Sequence, residues 1–262
     1  MIRPRRCWRG VCALALVPIL VFAFSASAKP PGSLPDAAAQ GRALVEKILA
    51  QRPAGNYTNT GVLTVRANGT RTAMPVQIET SVTDSNWQAA YSAQVSPNPK
   101  MDGAPAVAAG DCAWLRITHC DHLPNRYAVA GVNSSPRVGG PDDLFRPFAG
   151  SDYWVCDLGL EFFHWPQQLV VRKEFHRQCA CMVLESTNPN PAANSYSRVV
   201  SWIDEESLGI VEAYAYDANG KELKNFYPKS LEKVNGQYQL ESMVMENLQT
   251  GSKSVFEFDL HK

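Results

Sequence analysis

The sequence predicts a mainly β protein with a few helices, and two observations lead to this fold class. In residues 256–260 every second residue is large and apolar, and the residues between them are acidic. A period of two is what a strand with one buried face produces. Turn residues at 219–220, 235–236 and 249–251 separate the preceding apolar runs. Links this short join antiparallel neighbours, so the last third of the chain is predicted to be a β-meander.

The first 28 residues have the pattern of a secretory signal peptide. Four arginines precede an apolar run, and the small-residue triplet at 26–28 suits cleavage before Lys29. The run is short for a membrane span, so we expect export and a single domain at 29–262. Without the first 28 residues the chain has 21 basic and 25 acidic residues, a net charge of −4. That balance excludes the basic surface typical of nucleic-acid binding.

One helix is predicted near the start of the exported chain. Asp36 suits an N-cap, and the helix that follows runs to Gln51 with Leu44 and Ile48 on its apolar stripe. This stripe must face the sheet, where it would either pack on a core or cover a cavity. A shorter helix is predicted at 141–146, where proline comes early and acids occupy the first turn.

Several strands are predicted before the C-terminal meander. Residues 61–67, 74–82 and 87–95 form a first meander, because apolar and polar residues alternate between turn signals. A further strand is predicted at 112–118, and 169–175 and 179–185 are predicted to form a hairpin. Residues 96–110 and 131–141 are predicted loops.

The cysteines and histidines permit two interpretations. Export favours disulfides, and we predict one between Cys112 and Cys120, which would close a short loop. Thiols and imidazoles could instead bind zinc or copper, and the candidates are Cys112, His119, Cys120, His122, His176, Cys179 and Cys181. Their spacing matches no recognised zinc finger, so we predict no metal site and no cofactor.

The common catalytic motifs are absent from the sequence. It contains no G-x-S-x-G segment, no phosphate loop and no dinucleotide fingerprint. The acidic runs at 142–143 and 204–206 lie in turn-like contexts, where such charges usually face solvent. We therefore predict no catalytic residues and no enzymatic activity.

The predicted strands carry more large apolar side chains than the few predicted helices can cover. Two arrangements would accommodate them, a two-layer sandwich core or a curved sheet around an apolar hollow that holds one ligand. In the second arrangement the predicted lining is Leu44, Ile48, Leu63, Val65, Val76, Ile78, Trp87, Tyr91, Trp114, Trp202, Tyr214, Met243, Met245, Phe256 and Phe258. The methionines suit a hollow of this kind, because flexible thioethers adapt to varied apolar ligands.

A family resemblance favours the hollow. Residues 148–158 read FAGSDYWVCDL, which resembles the G-S-D-aromatic and D-L motif of the LolA-like, outer-membrane lipoprotein-sorting proteins. The resemblance continues in order through CMVLEST at 181–187, VVSWID at 199–204, DANGK at 217–221 and MVMENLQTG at 243–251. It covers the C-terminal part of the chain well and the first helix and meander less specifically.

The resemblance implies an incomplete antiparallel β-barrel of about eleven strands, with helices covering its concave apolar face. It also implies a monomeric periplasmic carrier or chaperone that binds the acyl chains of lipoproteins or lipids. An inner-membrane transporter would donate the cargo and an outer-membrane protein would accept it. Arg42 is the candidate for the arginine that latches the lid. One alternative is a lipid- or lipoprotein-sensing regulator of an envelope-stress pathway, and a second is an exported metal or redox protein.

Overall fold

Alternating apolar residues place most of the chain in strands. The computed structural model describes residues 34–95, 111–120, 123–234 and 237–260. The strands are β1 (Tyr57–Ala67), β2 (Thr70–Val82), β3 (Asn86–Ala93), β4 (Trp114–Cys120), β5 (Arg126–Ala130), β6 (Arg137–Val138), β7 (Gln167–His176), β8 (Cys179–Thr187), β9 (Arg198–Asp204), β10 (Ile210–Tyr216), β11 (Glu222–Val234), β12 (Gln237–Asn247) and β13 (Lys253–Asp259).

These strands form one antiparallel sheet that does not close. Their order is β6-β5-β4-β3-β2-β1-β13-β12-β11-β10-β9-β8-β7, so the first meander joins the C-terminal one where β1 pairs with β13. β6 and β7 end the sheet without pairing to each other. The predicted fold class is confirmed. The described sheet has thirteen strands rather than about eleven, in part because two short strands, β5 and β6, extend one edge.

Helix α1 (Leu34–Leu49) packs beside the edge strand β7. It starts two residues before the predicted N-cap, so Asp36 lies in its first turn, where an acid favours the positive end of the helix dipole. Gly41 permits the close approach, since a Cβ at this position would lie 2.3 Å from the carbonyl oxygen of Gln168. No helix in the described ranges is long and apolar enough to cross a membrane.

A connecting segment between β6 and β7 covers part of the inner face of the sheet, the face that carries Val199, Ala213 and Phe226. It contains a 3₁₀ turn (Pro141–Asp143), the short helix α2 (Val155–Leu158) and a second 3₁₀ turn (Glu161–His164). The predicted helix at 141–146 is thus a single 3₁₀ turn. We call residues 141–165 the inner segment.

Buried apolar side chains form two separate clusters. The first joins Leu63, Leu115 and Phe256 of the sheet to Phe148 and Tyr153 of the inner segment. The second joins the apolar stripe of α1 to the β7–β10 strands and to Phe162 and Phe163 of the inner segment. The inner segment therefore contributes to both clusters and spans the space between them.

Several predictions concern other parts of the chain. The predicted signal peptide at 1–28, the predicted loop at 96–110 and His122 lie outside the described residues.

Candidate functional site

A cavity of about 760 Å³ separates the two apolar clusters. Its size falls within the range of ligand pockets that hold small molecules. The wall is mainly apolar and draws residues from both clusters, together with residues that pack against them. They include Ile48, Tyr91, Tyr153, Leu158, Phe162, Phe163, Tyr196, Val199, Ala213, Ala215, Phe226, Met243 and Met245.

The sheet strands wall the cavity because they present small or apolar residues at every second position. Val211, Ala213 and Ala215 of β10 all line it. Register places Ala213 opposite Phe226 of β11, which in turn lies opposite Met245 of β12. The two alanines leave space that larger side chains would fill, so the hollow arises from the sequence of β10.

The lining residues Ser207, Gly209 and Leu231 are exposed, so we place the mouth of the cavity at the β9–β10 turn and the nearby part of β11. Leu208, Ile210 and Leu231 line it, and Leu231 is 58% exposed. The end of α1 meets the same turn, where the Gln51 side-chain amide donates to the Ser207 carbonyl oxygen at 3.0 Å. An exposed leucine at the entrance of an apolar cavity offers a first contact for an apolar ligand.

The opposite end of the cavity contains a buried ion pair. The side chain of Lys224 is 1% exposed, and its Nζ lies 3.3 Å from Oδ2 of Asp157. The ammonium also lies 3.4 Å from the centroid of the Trp154 ring, a cation–π contact. Burial lowers the pKa of Lys224, and the adjacent Asp157 carboxylate opposes that shift.

Asp157 is held in place by four donors, the weakest of which is the Cys156 thiol at 3.9 Å from Oδ1. The Trp154 backbone N–H donates to its Oδ2 at 2.8 Å, which caps α2, and the Tyr196 hydroxyl donates to Oδ1 at 2.9 Å. Lys224 is the third donor. Burial and the nearby carboxylate raise the pKa of Tyr196 well above its ordinary value, so its hydroxyl stays protonated and donates.

Three solved structures share this architecture. A putative outer membrane lipoprotein-sorting protein domain from Vibrio parahaemolyticus has 15% identity and a TM-score of 0.66 over 85% of this chain and 92% of that chain. A DUF1329 family protein from Desulfovibrio piger has 17% identity and a TM-score of 0.65 over 85% and 91%. A LolA superfamily protein from Nitrosomonas europaea has 15% identity and a TM-score of 0.57 over 86% and 92%.

The fold is LolA-like. This confirms the resemblance predicted from the sequence motifs. A family model described as "Uncharacterized protein" also matches residues 135–261, slightly under half of the chain. The search of curated protein sequences found no significant match.

Within the LolA-like fold, four of the fifteen predicted lining residues lie on the cavity wall: Ile48, Tyr91, Met243 and Met245. Several others share their face of the sheet or helix but are packed into the buried clusters. Leu44 belongs to the cluster with α1, while Leu63, Val65, Val76 and Phe256 belong to the other, and Phe258 packs against that second one. Ile78 is buried, and Trp87 stacks on His119 with ring centroids 3.7 Å apart. The prediction that these eight line a cavity is corrected, because neighbouring side chains fill the space beside them.

Trp114, Trp202 and Tyr214 lie on the outer face of the sheet, so the prediction that they line the cavity is wrong. Tyr214 lies between Ala213 and Ala215, which face the cavity, and successive side chains of a strand point to opposite faces. The Trp202 ring stacks on His176 at 5.0 Å and meets Tyr214 at 5.9 Å. These aromatic rings are part of a polar outer surface.

Sequence reasoning missed Lys224, Asp157, Tyr153 and Tyr196. Two signals were present. Lys224 occupies an inward position of a strand whose next inward residue is Phe226, so a charge interrupts the apolar face. Tyr153 and Asp157 lie inside the FAGSDYWVCDL segment, which was used only for family resemblance.

The predicted disulfide is wrong. Cys112 and Cys120 are both free, and they flank the length of β4. Eight residues of extended chain span roughly 25 Å, whereas a disulfide needs Cα atoms within about 7 Å. The Cys112 thiol instead donates to the Trp114 carbonyl oxygen at 2.9 Å.

The other predicted site residues occupy separate positions. Arg42 is exposed on α1, and no hydrogen bond or ion pair is found for it in the described part of the chain. His119 stacks on Trp87, whereas His176 contacts Glu212 at 2.6 Å on the outer face. Within the described ranges, no group of three or more His, Cys, Asp or Glu residues is arranged to hold a metal ion.

Proposed function

We propose that this protein is a periplasmic carrier or chaperone that binds the acyl chains of lipoproteins or lipids and moves them toward the outer membrane. The observation that carries the proposal is the mainly apolar cavity of about 760 Å³ between two well-packed clusters. The chain would act by binding and release, without covalent chemistry. The LolA-like fold is consistent with this function, because two of the similar structures are described as lipoprotein-sorting or LolA superfamily proteins.

The energetics of acyl chains suit an apolar cavity of this kind. Each methylene removed from water contributes about 0.8 kcal/mol, so a long chain gains roughly 10 kcal/mol on transfer from water. A membrane offers a similar gain. The affinity of a carrier for the acyl chain must therefore be close to the affinity of the membrane for that chain. Much weaker binding would never extract the chain, and much stronger binding would never release it.

The position of the mouth indicates the route by which an acyl chain would enter the cavity. Leu208, Ile210 and Leu231 surround the entrance, and Ile48 at the end of α1 lines the wall beside it. An acyl chain would slide between α1 and the sheet at this point, and the inner segment would stay in place. A donor in the inner membrane and an acceptor in the outer membrane would each have to reach the same entrance.

Mass spectrometry of the gently purified, exported protein tests the proposal. We expect lipid or acylated peptide to co-purify, and we expect the protein to transfer a labelled lipid between vesicles. Protein that is repeatedly free of lipid and transfers none would contradict the proposal. Co-purification with a membrane-bound regulator, with no transfer between vesicles, would favour the sensing alternative.

A further inference from the structure

The inner end of the cavity contains more hydrogen-bond donors than the surrounding protein has acceptors for. A lysine ammonium carries three donors, and Lys224 uses one of them on Asp157 at 3.3 Å. The Trp154 ring faces the ammonium at 3.4 Å, and no second oxygen or nitrogen acceptor is found for it among the described residues. Tyr153 lines the same cavity, and its buried hydroxyl has no hydrogen-bond partner in the described structure. Because buried polar groups are nearly always paired, these two side chains point to a ligand oxygen.

The charges at this end favour an uncharged oxygen. The positive charge of Lys224 is already balanced by Asp157, and Asp152 adds a second carboxylate that acts on the same lysine. An anionic head group would leave a net negative charge in an apolar environment, which is costly. A hydroxyl, ketone or ester oxygen accepts a hydrogen bond from the ammonium without adding charge.

The position of this end also restricts the cargo. Lys224 and Leu231 lie on the same strand seven positions apart, a separation of roughly 20 Å. A lipoprotein must keep its polypeptide outside the mouth, so its ester groups would stay near Leu231 and only methyl-terminated chain ends would reach Lys224. A free lipid can place its polar end at Lys224, with its chain extending toward the mouth.

We propose that the cavity takes a free long-chain lipid with an uncharged oxygen at one end, and that this oxygen binds Lys224 and Tyr153. The inference rests on the proposed carrier function and narrows its cargo from lipoprotein or lipid to free neutral lipid. Lys224 and Tyr153 are then specificity residues, whereas the apolar wall supplies the affinity.

Competition against an uncharged naphthylamine fluorophore tests this inference with the exported protein. The competitors are hexadecan-1-ol, hexadecyl sulfate and a tripalmitoylated lipopeptide, which present the same chain with an uncharged oxygen, an anion and a peptide. We expect hexadecan-1-ol to bind at least about tenfold more tightly than hexadecyl sulfate, because burying the sulfate would leave a net negative charge in the cavity. We also expect it to displace the fluorophore at lower concentration than the lipopeptide does.

Three variants test whether Lys224 and Tyr153 produce the preference for the uncharged alcohol. D157N/K224M removes both members of the ion pair together, so that neither is left buried without the other, and should weaken the binding of hexadecan-1-ol by about tenfold. Y153F should weaken the binding of hexadecan-1-ol several-fold more than it weakens the binding of the fluorophore. K173M is the matched lysine control, because Lys173 is 59% exposed in its side chain, pairs with Glu205 and does not line the cavity.

The outcomes separate the two proposals. Equal affinity for the alcohol and the sulfate, tighter binding of the lipopeptide, or an unchanged affinity of D157N/K224M for the alcohol would overturn the inference and leave the carrier proposal intact. If neither the fluorophore nor any of the three competitors binds, the carrier function itself fails.

Discussion

Ser254 and Asp152 form a reciprocal pair across 102 positions of sequence. The Ser254 hydroxyl donates to Oδ2 of Asp152 at 2.7 Å, and the Asp152 backbone N–H donates to the Ser254 hydroxyl oxygen at 2.8 Å. Both residues are buried. The pair fastens the inner segment to β13, and the adjacent Tyr153 ring packs on Phe256 of that strand with centroids 4.9 Å apart. The wall of the cavity is therefore anchored by hydrogen bonds as well as by packing.

Substituting Ser254 by alanine should lower the free energy of unfolding by about 2–3 kcal/mol, because it leaves a buried N–H and a carboxylate oxygen of Asp152 without a partner. Chemical denaturation followed by tryptophan fluorescence measures the change. S134A is the control, since Ser134 lies in an exposed loop, and its effect should stay within about 0.5 kcal/mol. Equal stability of S254A and the parent would show that the pair does not anchor the segment.

Substituting Gly41 by alanine should destabilise the protein by about 1–3 kcal/mol, although glycine to alanine normally stabilises a helix interior by about 1 kcal/mol. The reason is that the new Cβ would meet the backbone of Gln168 and Leu169, which cannot move aside as a flexible side chain can. Thermal unfolding tests the sign of the change. The matched control is G55A, where the added carbon meets nothing within 4 Å. A higher Tm for G41A would mean that α1 is not docked as described.

Stability should fall as the pH drops from about 6.5 toward about 4, and His119 should account for part of the loss. Burial, with a smaller effect of His164, lowers the pKa of His119 from 6.5 to about 4. In this window the unfolded chain therefore binds a proton that the folded chain excludes. The full contribution is about 3 kcal/mol, present above pH 6.5 and lost progressively below it.

H119Q separates His119 from the other titrating groups. Glu161 acts in the opposite direction, because burial raises the pKa of its carboxyl and the folded state then takes up protons more readily. Denaturation of H119Q at several pH values should show a shallower loss of stability between pH 6.5 and 4 than the parent shows. Identical pH profiles would contradict the assignment.

Substituting Leu231 by glutamate should weaken the binding of an apolar fluorophore by about tenfold or more, since it places a charge at the mouth of the cavity without disturbing buried packing. Because Leu231 is 58% exposed, the free energy of unfolding should change little. V138E is the control. Val138 on β6 is also an exposed apolar residue, with an exposed fraction of 84%. Equal loss of binding in both variants would place the entrance elsewhere.

The sequence alone was sufficient for most of the strands and their local pairing. Asn68 and Gly69 have φ values of 51° and 74° at the turn between β1 and β2, and Gly220 has a φ of 75° between β10 and β11. These conformations are the ones that the turn dipeptides predicted. Hairpins depend on contacts between nearby residues, so their position can be read from short segments.

Which face of each strand is the inner one was decided by tertiary structure. A period-two pattern defines two faces, and Trp202 and Tyr214 made the outer face of β9 and β10 look as apolar as the inner one. The small residues Ala213 and Ala215 turned out to line the cavity. Aromatic rings at the outer face are stabilised there by neighbouring polar groups, such as Glu174, which accepts a hydrogen bond from the Trp202 indole at 2.5 Å.

Short segments of the chain were enough to predict an antiparallel, mainly β protein with LolA-like motifs, because alternation and turn chemistry are local properties. The folded chain was needed to show that β1 pairs with β13, that Asp157 meets Lys224 at 3.3 Å, and that a cavity remains between two clusters. Those contacts join residues 67 positions apart or more. They depend on how the whole sheet curves and on which side chains remain to fill its inner face, and no single segment specifies either.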